Sequence, residues 1–170
     1  LAGIGTVLQD DPRLTCRMEG GRNPVRIICD SHLRIPLDSN LCRTAHEVPT
    51  IVACASPDQD KRKALDGLGV TVLDLPGPDG RVDLPALMAE LGKREIDGIL
   101  LEGGGGLNES MLRQGLGHKL FGGADAKSPV EGVGVDRPED CWQLSSPTCT
   151  PMGEDLLLEY EVIQHVHRDH

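Results

Sequence analysis

The sequence predicts an α/β fold with parallel strands. Short apolar runs, each the length of one strand, alternate with segments that have the apolar spacing or the capping residues of helices. The last of these runs ends in a carboxylate and four consecutive glycines, and a segment able to form a helix follows. Strands that alternate with helices pair in parallel, because each helix returns the chain to the same end of the sheet.

The predicted elements cover most of the first two thirds of the chain. Strands are predicted over residues 25–29, 50–55, 70–73 and 96–101. A helix is predicted to begin at Ser56, because Ser is a favourable N-cap, Pro57 fits the first helical position and Asp58 adds an acid to the first turn. Two further helices are predicted over 84–91 and 107–114, the first from apolar residues at i, i+3, i+4 and i+7.

The alternation stops after Gly117. Residues 122–134 are rich in glycine, aspartate and proline, which predicts an extended loop. Short strands are predicted over residues 141–144 and 156–163. Near the other end of the chain, Asp10, Asp11 and Pro12 predict a turn.

The four glycines that directly follow Glu102 are the strongest local indication of a binding site. Strand, glycine turn and helix is the order in which α/β proteins hold phosphates, because a residue without Cβ lets the backbone approach the ligand and the helix start offers unpaired N–H groups. The pattern is neither G-x-G-x-x-G nor a P-loop, since no Lys followed by Ser or Thr comes after the glycines. It predicts nucleotide binding, and a flexible turn without a ligand is the alternative.

Composition and charge exclude several classes of protein. The net charge of −10 argues against non-specific nucleic-acid binding, so an anionic ligand would need a local basic pocket. No apolar run approaches the roughly 18 residues of a membrane span, and no signal peptide is visible. None of the six cysteines forms C-x-x-C, which predicts no metal site and reduced thiols in a cytoplasmic protein, with Cys29 and Cys54 as small buried hydrophobic residues.

Four motifs, taken together, resemble one known family. They are Gly5-Thr-Val-Leu-Gln-Asp-Asp-Pro-Arg-Leu-Thr-Cys-Arg17, Pro24-Val-Arg-Ile-Ile-Cys-Asp-Ser31, Glu102-Gly-Gly104 and Lys119-Leu-Phe-Gly-Gly123. In this order they are similar to the reductase domain of the bacterial riboflavin-biosynthesis deaminase/reductase, and the resemblance covers residues 1–163. The first motif is the most specific of the four.

The resemblance implies a dihydrofolate-reductase-like fold with a mixed, mostly parallel sheet flanked by helices. It implies NADPH-dependent reduction of a phosphorylated pyrimidine, 5-amino-6-(5-phosphoribosylamino)uracil, in which C1′ of the opened sugar accepts a hydride. It also implies a zinc deaminase domain, fused to this one or partnered with it outside the chain. A partly exposed sheet edge favours a homodimer, and neither a nucleic acid nor a membrane is an expected partner.

Residue by residue, the resemblance implies contacts with cofactor and substrate. The cofactor-binding residues are Thr6, Asp10, Ser31, Gly104, Gly105, Gly106, Leu107, Asn108 and Ser110. The substrate-binding residues are Leu14, Arg17 and Glu102, with Arg17 pairing with the ribose 5′-phosphate. Glu102 and Asp10 are the catalytic candidates. As an extension of the resemblance, Arg34 is a candidate for contact with the phosphate that distinguishes NADPH from NADH.

The sequence departs from the family in two places. The strand and helix that normally open the domain are absent before Leu1, and the apolar strand expected near 117–120 is missing. Losing a strand from the middle of a sheet leaves backbone groups unpaired, so we expect residues to be missing from the sequence at both places. On this expectation the reductase domain spans 1–163 and a polar tail spans 164–170.

Two other functions fit the same residues. A reductase of a pterin or of another pyrimidine would share the fold, but an unphosphorylated substrate would give Arg17 no partner. A non-catalytic nucleotide-binding module would keep the glycine turn and lack turnover. Measurements of NADPH binding and of NADPH oxidation separate these alternatives.

Overall fold

The computed structural model describes residues 1–56, 58–102, 104–116, 119–121, 143–146, 148–152, 155–159 and 162–164. The chain divides into two compact units, Leu1–Glu102 and Gly103–His170. The first unit contains a parallel sheet with helices in its connections, and the second contains a helix and antiparallel strands.

The sheet of the first unit has four parallel strands. They are β1 (Ala2–Gly3), β2 (Arg26–Cys29), β3 (Thr50–Cys54) and β4 (Val70–Asp74), which lie side by side in that order. The accompanying helices are α1 (Ile4–Asp10), α2 (Asn40–Arg43), α3 (Gln59–Gly67) and α4 (Leu84–Lys93). Of the four strands predicted for this part of the chain, those over 25–29, 50–55 and 70–73 are confirmed to within one residue at each end, as β2, β3 and β4.

The central strands are buried, except for the partly buried Cys29 at the end of β2. Every residue of β3 is buried, and Ile27 and Ile28 of β2 are 2% and 0% exposed. Continuous burial of this kind is typical of parallel strands that are covered on both faces, which explains why their sequences are unbroken apolar runs. In α4, Leu84, Leu87 and Leu91 are buried, as their helical spacing predicts.

The described residues of the second unit form one helix and two small sheets. The helix is α5 (Gly105–Arg113), and the strands are β5 (Lys119–Phe121), β6 (Gln143–Leu144), β7 (Thr148–Met152), β8 (Asp155–Glu159) and β9 (Val162–Gln164). An antiparallel sheet has the order β5-β8-β7, and β6 pairs antiparallel with β9. The four parallel strands and their helices confirm the predicted α/β class, while the described antiparallel strands lie in separate sheets and not in one mixed sheet with the parallel strands. No helix within the described residues is long and apolar enough to cross a membrane.

Two predicted helix starts need correction. The helix after β3 begins at Gln59, because Asp58 and not Ser56 is its N-cap: the Asp58 carboxylate accepts the N–H groups of Asp60 and Lys61, both at 2.9 Å. Both residue types are favourable caps, so the sequence alone did not separate them. The other correction concerns α5, which begins two residues earlier than predicted and ends at Arg113.

The prediction of a buried central strand over 96–101 is wrong. No strand is assigned there, Leu100 is 56% exposed, and Gly98 is exposed as well. The segment forms two backbone hydrogen bonds with Leu1, in which Leu1 N donates to the Leu100 carbonyl and Glu102 N donates to the Leu1 carbonyl, both at 2.8 Å. Apolar composition indicated burial, but a continuous strand also needs a continuous partner for its backbone groups.

The remaining predictions lie partly outside the described residues. The strand predicted over 141–144 is present as Gln143–Leu144, and the strand predicted over 156–163 corresponds to the separate β8 and β9. The predicted loop 122–134 lies outside the described residues, and so does the predicted tail 164–170, except for Gln164, which is the last residue of β9. Near 117–120, the structure has the strand β5, which pairs antiparallel with β8.

Candidate active site

The first unit contains a cavity of about 570 Å³. Its wall is formed by the loop that follows α1, by the start of β2 and by the segment 96–102. Leu14 and Glu102, two of the three predicted substrate-binding residues, both line it. The third, Arg17, is exposed on the same loop and is not part of the cavity wall. The fold thus brings two of the predicted substrate contacts together although they are far apart in the sequence.

Leu14 has an unusual backbone conformation. Its φ of 47° lies in the left-handed region, which a branched side chain rarely adopts. The side chain packs against the aliphatic core cluster and is only partly buried, since it also lines the cavity. The peptide before Leu14 is held by Arg26, whose Nη1 donates to the carbonyl of Arg13 at 3.1 Å.

Glu102 is exposed at the end of the cavity-lining segment. Its backbone N–H donates to the Leu1 carbonyl, so the backbone of Glu102 lies beside the start of the parallel sheet. An exposed carboxylate next to a largely apolar cavity wall can accept hydrogen bonds from hydroxyl or amine groups of a ligand. This chemistry suits a sugar or an aminopyrimidine.

The carboxyl end of the parallel sheet carries Thr6 and Ser31. Thr6 lies in α1 after β1, and Ser31 follows β2, so the two residues come after neighbouring strands. The Ser31 hydroxyl accepts the Val82 N–H at 3.3 Å, and the Ser31 carbonyl accepts the N–H groups of Ala55 and Ser56. Open α/β sheets bind their ligands at this end.

The other predicted polar contacts of the first unit are exposed. Asp10 is the last residue of α1, and Arg34 lies in the connection between β2 and α2. Asp30, directly before Ser31, is fully buried and accepts the Ile35 N–H through Oδ2 at 2.7 Å. Asp30 therefore stabilises the turn that presents Ser31, while Asp10 and Arg34 remain accessible to a ligand.

The glycine turn opens α5 in the second unit. Gly104 is the N-cap with a φ of 87°, and no side chain caps the helix. A Cβ added to Gly106 would meet no atom within 4 Å, so this glycine is not required by packing inside the protein. An uncapped helix start that is lined by glycines fits a phosphate group, because the N–H groups of the first turn have no intrahelical acceptor.

Cys29 and Cys54 of the first unit are packing residues. Burial raises the pKa of the Cys29 thiol to about 12 and that of the Cys54 thiol to about 11. Cys54 is fully buried, as predicted, whereas Cys29 is only partly buried. A neutral thiol is a poor nucleophile and a poor metal ligand. Within the described residues, no three His, Cys, Asp or Glu side chains form a group that could hold a metal ion.

The sequence analysis did not identify the two arginines of the cavity wall. Arg26 and Arg22 both line the cavity, and Arg26 is 1% exposed. Arg26 could have been identified because it is the second residue of the apolar run V-R-I-I-C. An arginine inside a buried strand needs several hydrogen-bond partners, since burial of an unpartnered charge is unfavourable. Arg22 lies in a glycine-rich loop and carries no comparable signal.

Known proteins resemble this chain over nearly its whole length. The riboflavin biosynthesis protein RibD of Actinobacillus pleuropneumoniae is 42% identical over 96% of this chain and 46% of its own length. The 2,5-diamino-6-ribosylamino-4(3H)-pyrimidinone 5′-phosphate reductase of Methanothermobacter thermautotrophicus is 36% identical over 95% of this chain and 78% of its own. The solved structure of Acinetobacter baumannii RibD has a TM-score of 0.70 at 22% identity, over 96% of this chain and 46% of that one.

These similarities concern both the fold and the family. The solved RibD structure has the same fold, which is dihydrofolate-reductase-like. The chain spans about half the length of the RibD proteins that it matches. The family described as the RibD C-terminal domain matches residues 1–158. The chain therefore belongs to the RibD C-terminal domain family.

Proposed function

We propose that this chain is the pyrimidine reductase of riboflavin biosynthesis. It reduces 5-amino-6-(5-phosphoribosylamino)uracil to 5-amino-6-(5-phosphoribitylamino)uracil with NADPH. The observation that carries the proposal is the cavity wall, which contains both Leu14 and Glu102. The names of the relatives, a riboflavin biosynthesis protein and a pyrimidinone phosphate reductase, support the same substrate class.

In this proposal the first unit binds the substrate. Leu14 offers an apolar contact to the pyrimidine, and the Glu102 carboxylate accepts hydrogen bonds from the sugar hydroxyls. Arg17 is exposed and forms no ion pair within the described part of the chain, so its guanidinium is available to a phosphate. Arginine suits a phosphate dianion because its planar group donates two parallel hydrogen bonds.

The start of α5 holds the cofactor pyrophosphate. Gly104, Gly105 and Gly106 let the backbone approach it, and Leu107, Asn108 and Ser110 form the following turns of the helix. In the first unit, Thr6, Asp10 and Ser31 are the proposed cofactor contacts, with Arg34 as the proposed contact for the additional phosphate of NADPH. When bound, NADPH supplies the hydride that reduces C1′.

The reduction also requires a proton at the substrate. Glu102 and Asp10 are the carboxylates that could deliver it. We favour a positioning role for Glu102, in which it accepts hydrogen bonds from the sugar.

A second substrate is 2,5-diamino-6-ribosylamino-4(3H)-pyrimidinone 5′-phosphate. The observation in its favour is the Methanothermobacter relative, which carries that substrate in its name and of which this chain covers 78%. The two pyrimidines differ at C2, where one carries an amino group and the other an oxygen. Both are phosphorylated, so both give Arg17 the same partner.

The test is the loss of NADPH absorbance with each of the two pyrimidines in turn. The proposal expects turnover of the uracil compound, with much slower turnover when NADH replaces NADPH. Faster turnover of the diamino compound would favour the second substrate. NADPH binding without turnover of either compound would identify a non-catalytic nucleotide-binding module, and turnover of an unphosphorylated pterin would identify a different reductase.

Arg17→Ala tests the phosphate contact. We expect KM for the pyrimidine to rise by roughly 30-fold or more, because a charge-assisted pair with a phosphate is worth on the order of 2–5 kcal/mol when it is desolvated. The dissociation constant of NADPH should change much less. Arg81→Ala, which removes an exposed arginine paired with Asp79, is the matched control. An equal loss of affinity for substrate and cofactor contradicts the assignment.

The assembly is part of the proposal. We propose a cytoplasmic homodimer that is fused to a zinc deaminase domain or acts together with one. Sedimentation equilibrium of the purified chain tests the dimer, since a monomer at micromolar concentration would contradict it.

A further inference from the structure

Arg26 is a buried arginine that is held by neutral acceptors. It is 1% exposed, and none of the ion pairs in the described part of the chain involves it. Its guanidinium forms six hydrogen bonds with five acceptors, three of which are backbone carbonyls. A buried charge requires such partners, because transfer from water is unfavourable without them. Arg26 lines the cavity, but all three of its side-chain nitrogens donate to the protein.

The five acceptors belong to two different parts of the first unit. Four of them lie on α2, on the turn after it and on β3. Nη2 donates to Leu41 O at 3.1 Å, to Val48 O at 2.9 Å and to Thr50 Oγ1 at 2.6 Å. Nη1 donates to Thr44 Oγ1 at 2.8 Å. The fifth is the carbonyl of Arg13, which accepts from Nη1 at 3.1 Å. The side chain of Arg13 is exposed, so this bond anchors the backbone of the loop. Arg26 therefore joins the loop after α1 to the sheet.

The anchored peptide is the one directly before Leu14. Because the φ of Leu14 is 47°, its backbone is strained, and such a conformation persists only where the surroundings hold it. The hydrogen bond from Arg26 to the Arg13 carbonyl holds the peptide unit that joins Arg13 to Leu14. Leu14 in turn lines the cavity with Glu102. A rigid guanidinium with donors in several directions can hold the loop and the sheet at once, whereas an ammonium group is a single point of attachment.

We propose that Arg26 is a positioning residue for the substrate, which acts by holding the Arg13–Leu14 peptide so that Leu14 forms the cavity wall. This inference rests on the proposed reductase function. Arg26 then affects substrate affinity separately from its contribution to the stability of the fold. Arg26 does not contact the reacting atoms.

The test is Arg26→Lys in the reductase assay. Lysine keeps the positive charge and can bond the nearest acceptors, but it cannot reproduce the fork that includes the Arg13 carbonyl. We expect KM for the pyrimidine to rise about tenfold, while kcat stays within about threefold and the dissociation constant of NADPH is unchanged. Arg62→Lys is the matched control, because Arg62 also donates to a backbone carbonyl, that of Val72 at 3.3 Å, at a site away from the loop.

A double-mutant cycle with Leu14→Ala separates positioning from general destabilisation. If Arg26 acts through Leu14, the two variants raise KM by less in combination than the product of their separate effects. Independent effects that multiply would show that Arg26 does not act through Leu14 and would overturn the inference.

If Arg26→Lys does not fold, Thr44→Val gives a second route, since the Thr44 hydroxyl shares Nη1 with the Arg13 carbonyl. We expect about a twofold to threefold rise in KM for that variant, again with unchanged NADPH affinity.

The outcomes for the inference and for the proposed function are distinguishable. If the wild-type protein reduces the pyrimidine and the KM of Arg26→Lys or Thr44→Val equals that of the wild type, the inference is overturned but the proposed function is not. Wild-type protein that neither binds nor reduces either pyrimidine overturns the proposed function and the inference with it. A KM that rises in parallel with the dissociation constant of NADPH marks a merely structural role for Arg26.

Discussion

Asn40 holds Asp11 through three hydrogen bonds. The Asn40 side-chain amide donates to the Asp11 carbonyl at 2.9 Å and to Oδ2 at 2.8 Å, and the Asn40 backbone N–H donates to Oδ1 at 2.8 Å. Asp11 is the C-cap of α1 and has a φ of 40°. Of the two aspartates in the D-D-P motif, Asp11 therefore has a structural role, while Asp10 is exposed at the end of the helix.

Asn40→Ala should destabilise the protein modestly, and Asn40→Asp more strongly. The alanine variant loses two hydrogen bonds to an exposed loop, so we expect the free energy of unfolding to fall by about 1 kcal/mol. The aspartate variant places a second carboxylate against that of Asp11, and like charges at this distance repel. Urea unfolding at neutral pH measures both. Equal stability of Asn40→Asp and the wild type would show that the contact contributes nothing.

Stability should also fall in alkaline solution because of Cys54. Burial first, and then the nearby Asp74 carboxylate, raises the pKa of this thiol from 9.0 to about 11. Above pH 9 the unfolded chain loses the thiol proton while the folded protein retains it, so the unfolded state binds fewer protons and stability declines as the pH rises towards 11. At about 1.4 kcal/mol per pKa unit, the contribution of Cys54 is on the order of 2–3 kcal/mol.

Cys54→Ala provides the measurement for that decline. The variant should be less stable at neutral pH, since it leaves a small cavity in the core. Its stability should then depend less on pH between 9 and 11 than that of the wild type. Cys149→Ala, which removes an exposed thiol, is the control. Identical alkaline slopes for Cys54→Ala and the wild type would refute the role of this thiol.

The helices and strands that could be predicted from the sequence are those whose apolar and polar residues follow a local pattern. β3 could be predicted because a strand covered on both faces must be apolar throughout. α1 was missed, because its sequence I-G-T-V-L-Q-D contains a glycine and three β-branched residues, and its N-cap Gly3 forms no side-chain capping bond. Its Ile4 and Val7 are buried, so packing, and not local preference, stabilises this helix.

The residues of the candidate site also divide into those that the local sequence identifies and those that depend on tertiary contacts. The glycine turn before α5 was visible in the sequence, because positive φ and close approach both select glycine. Leu14 and Glu102 were available only through the resemblance to a family. Arg26 and Asn40 act through tertiary contacts across 13 and 29 positions of the chain, and no periodicity or spacing in the sequence identifies the partners in such contacts.

Gly106→Ala should weaken NADPH binding without weakening the fold. A Cβ at this position meets no atom within 4 Å, so alanine is tolerated and should stabilise the helix by up to about 1 kcal/mol. The same methyl group would stand in the way of a pyrophosphate at the helix start. Gly104→Ala is the contrasting variant, since its φ of 87° is strained for alanine and the melting temperature should fall. Unchanged NADPH affinity in Gly106→Ala would show that the helix start does not hold the pyrophosphate.

Glu102→Gln distinguishes two roles for the carboxylate in the cavity wall. If Glu102 only accepts hydrogen bonds from the substrate, the amide oxygen of glutamine retains part of that bonding, and the loss falls mainly on KM. If Glu102 donates the proton in the reaction, kcat should fall by roughly 10²–10⁴-fold, and one limb of the pH profile of kcat should disappear.

We expect the first result, because Glu102 is an exposed residue of the cavity wall, where its carboxylate is accessible to a ligand as a hydrogen-bond acceptor. Asp10→Asn, measured in parallel, tests the other carboxylate: a loss of kcat there, with both pH limbs retained in Glu102→Gln, would assign the proton transfer to Asp10. Wild-type kcat and KM in Glu102→Gln would remove Glu102 from the site, and the cavity would then retain Leu14 as its one predicted substrate contact.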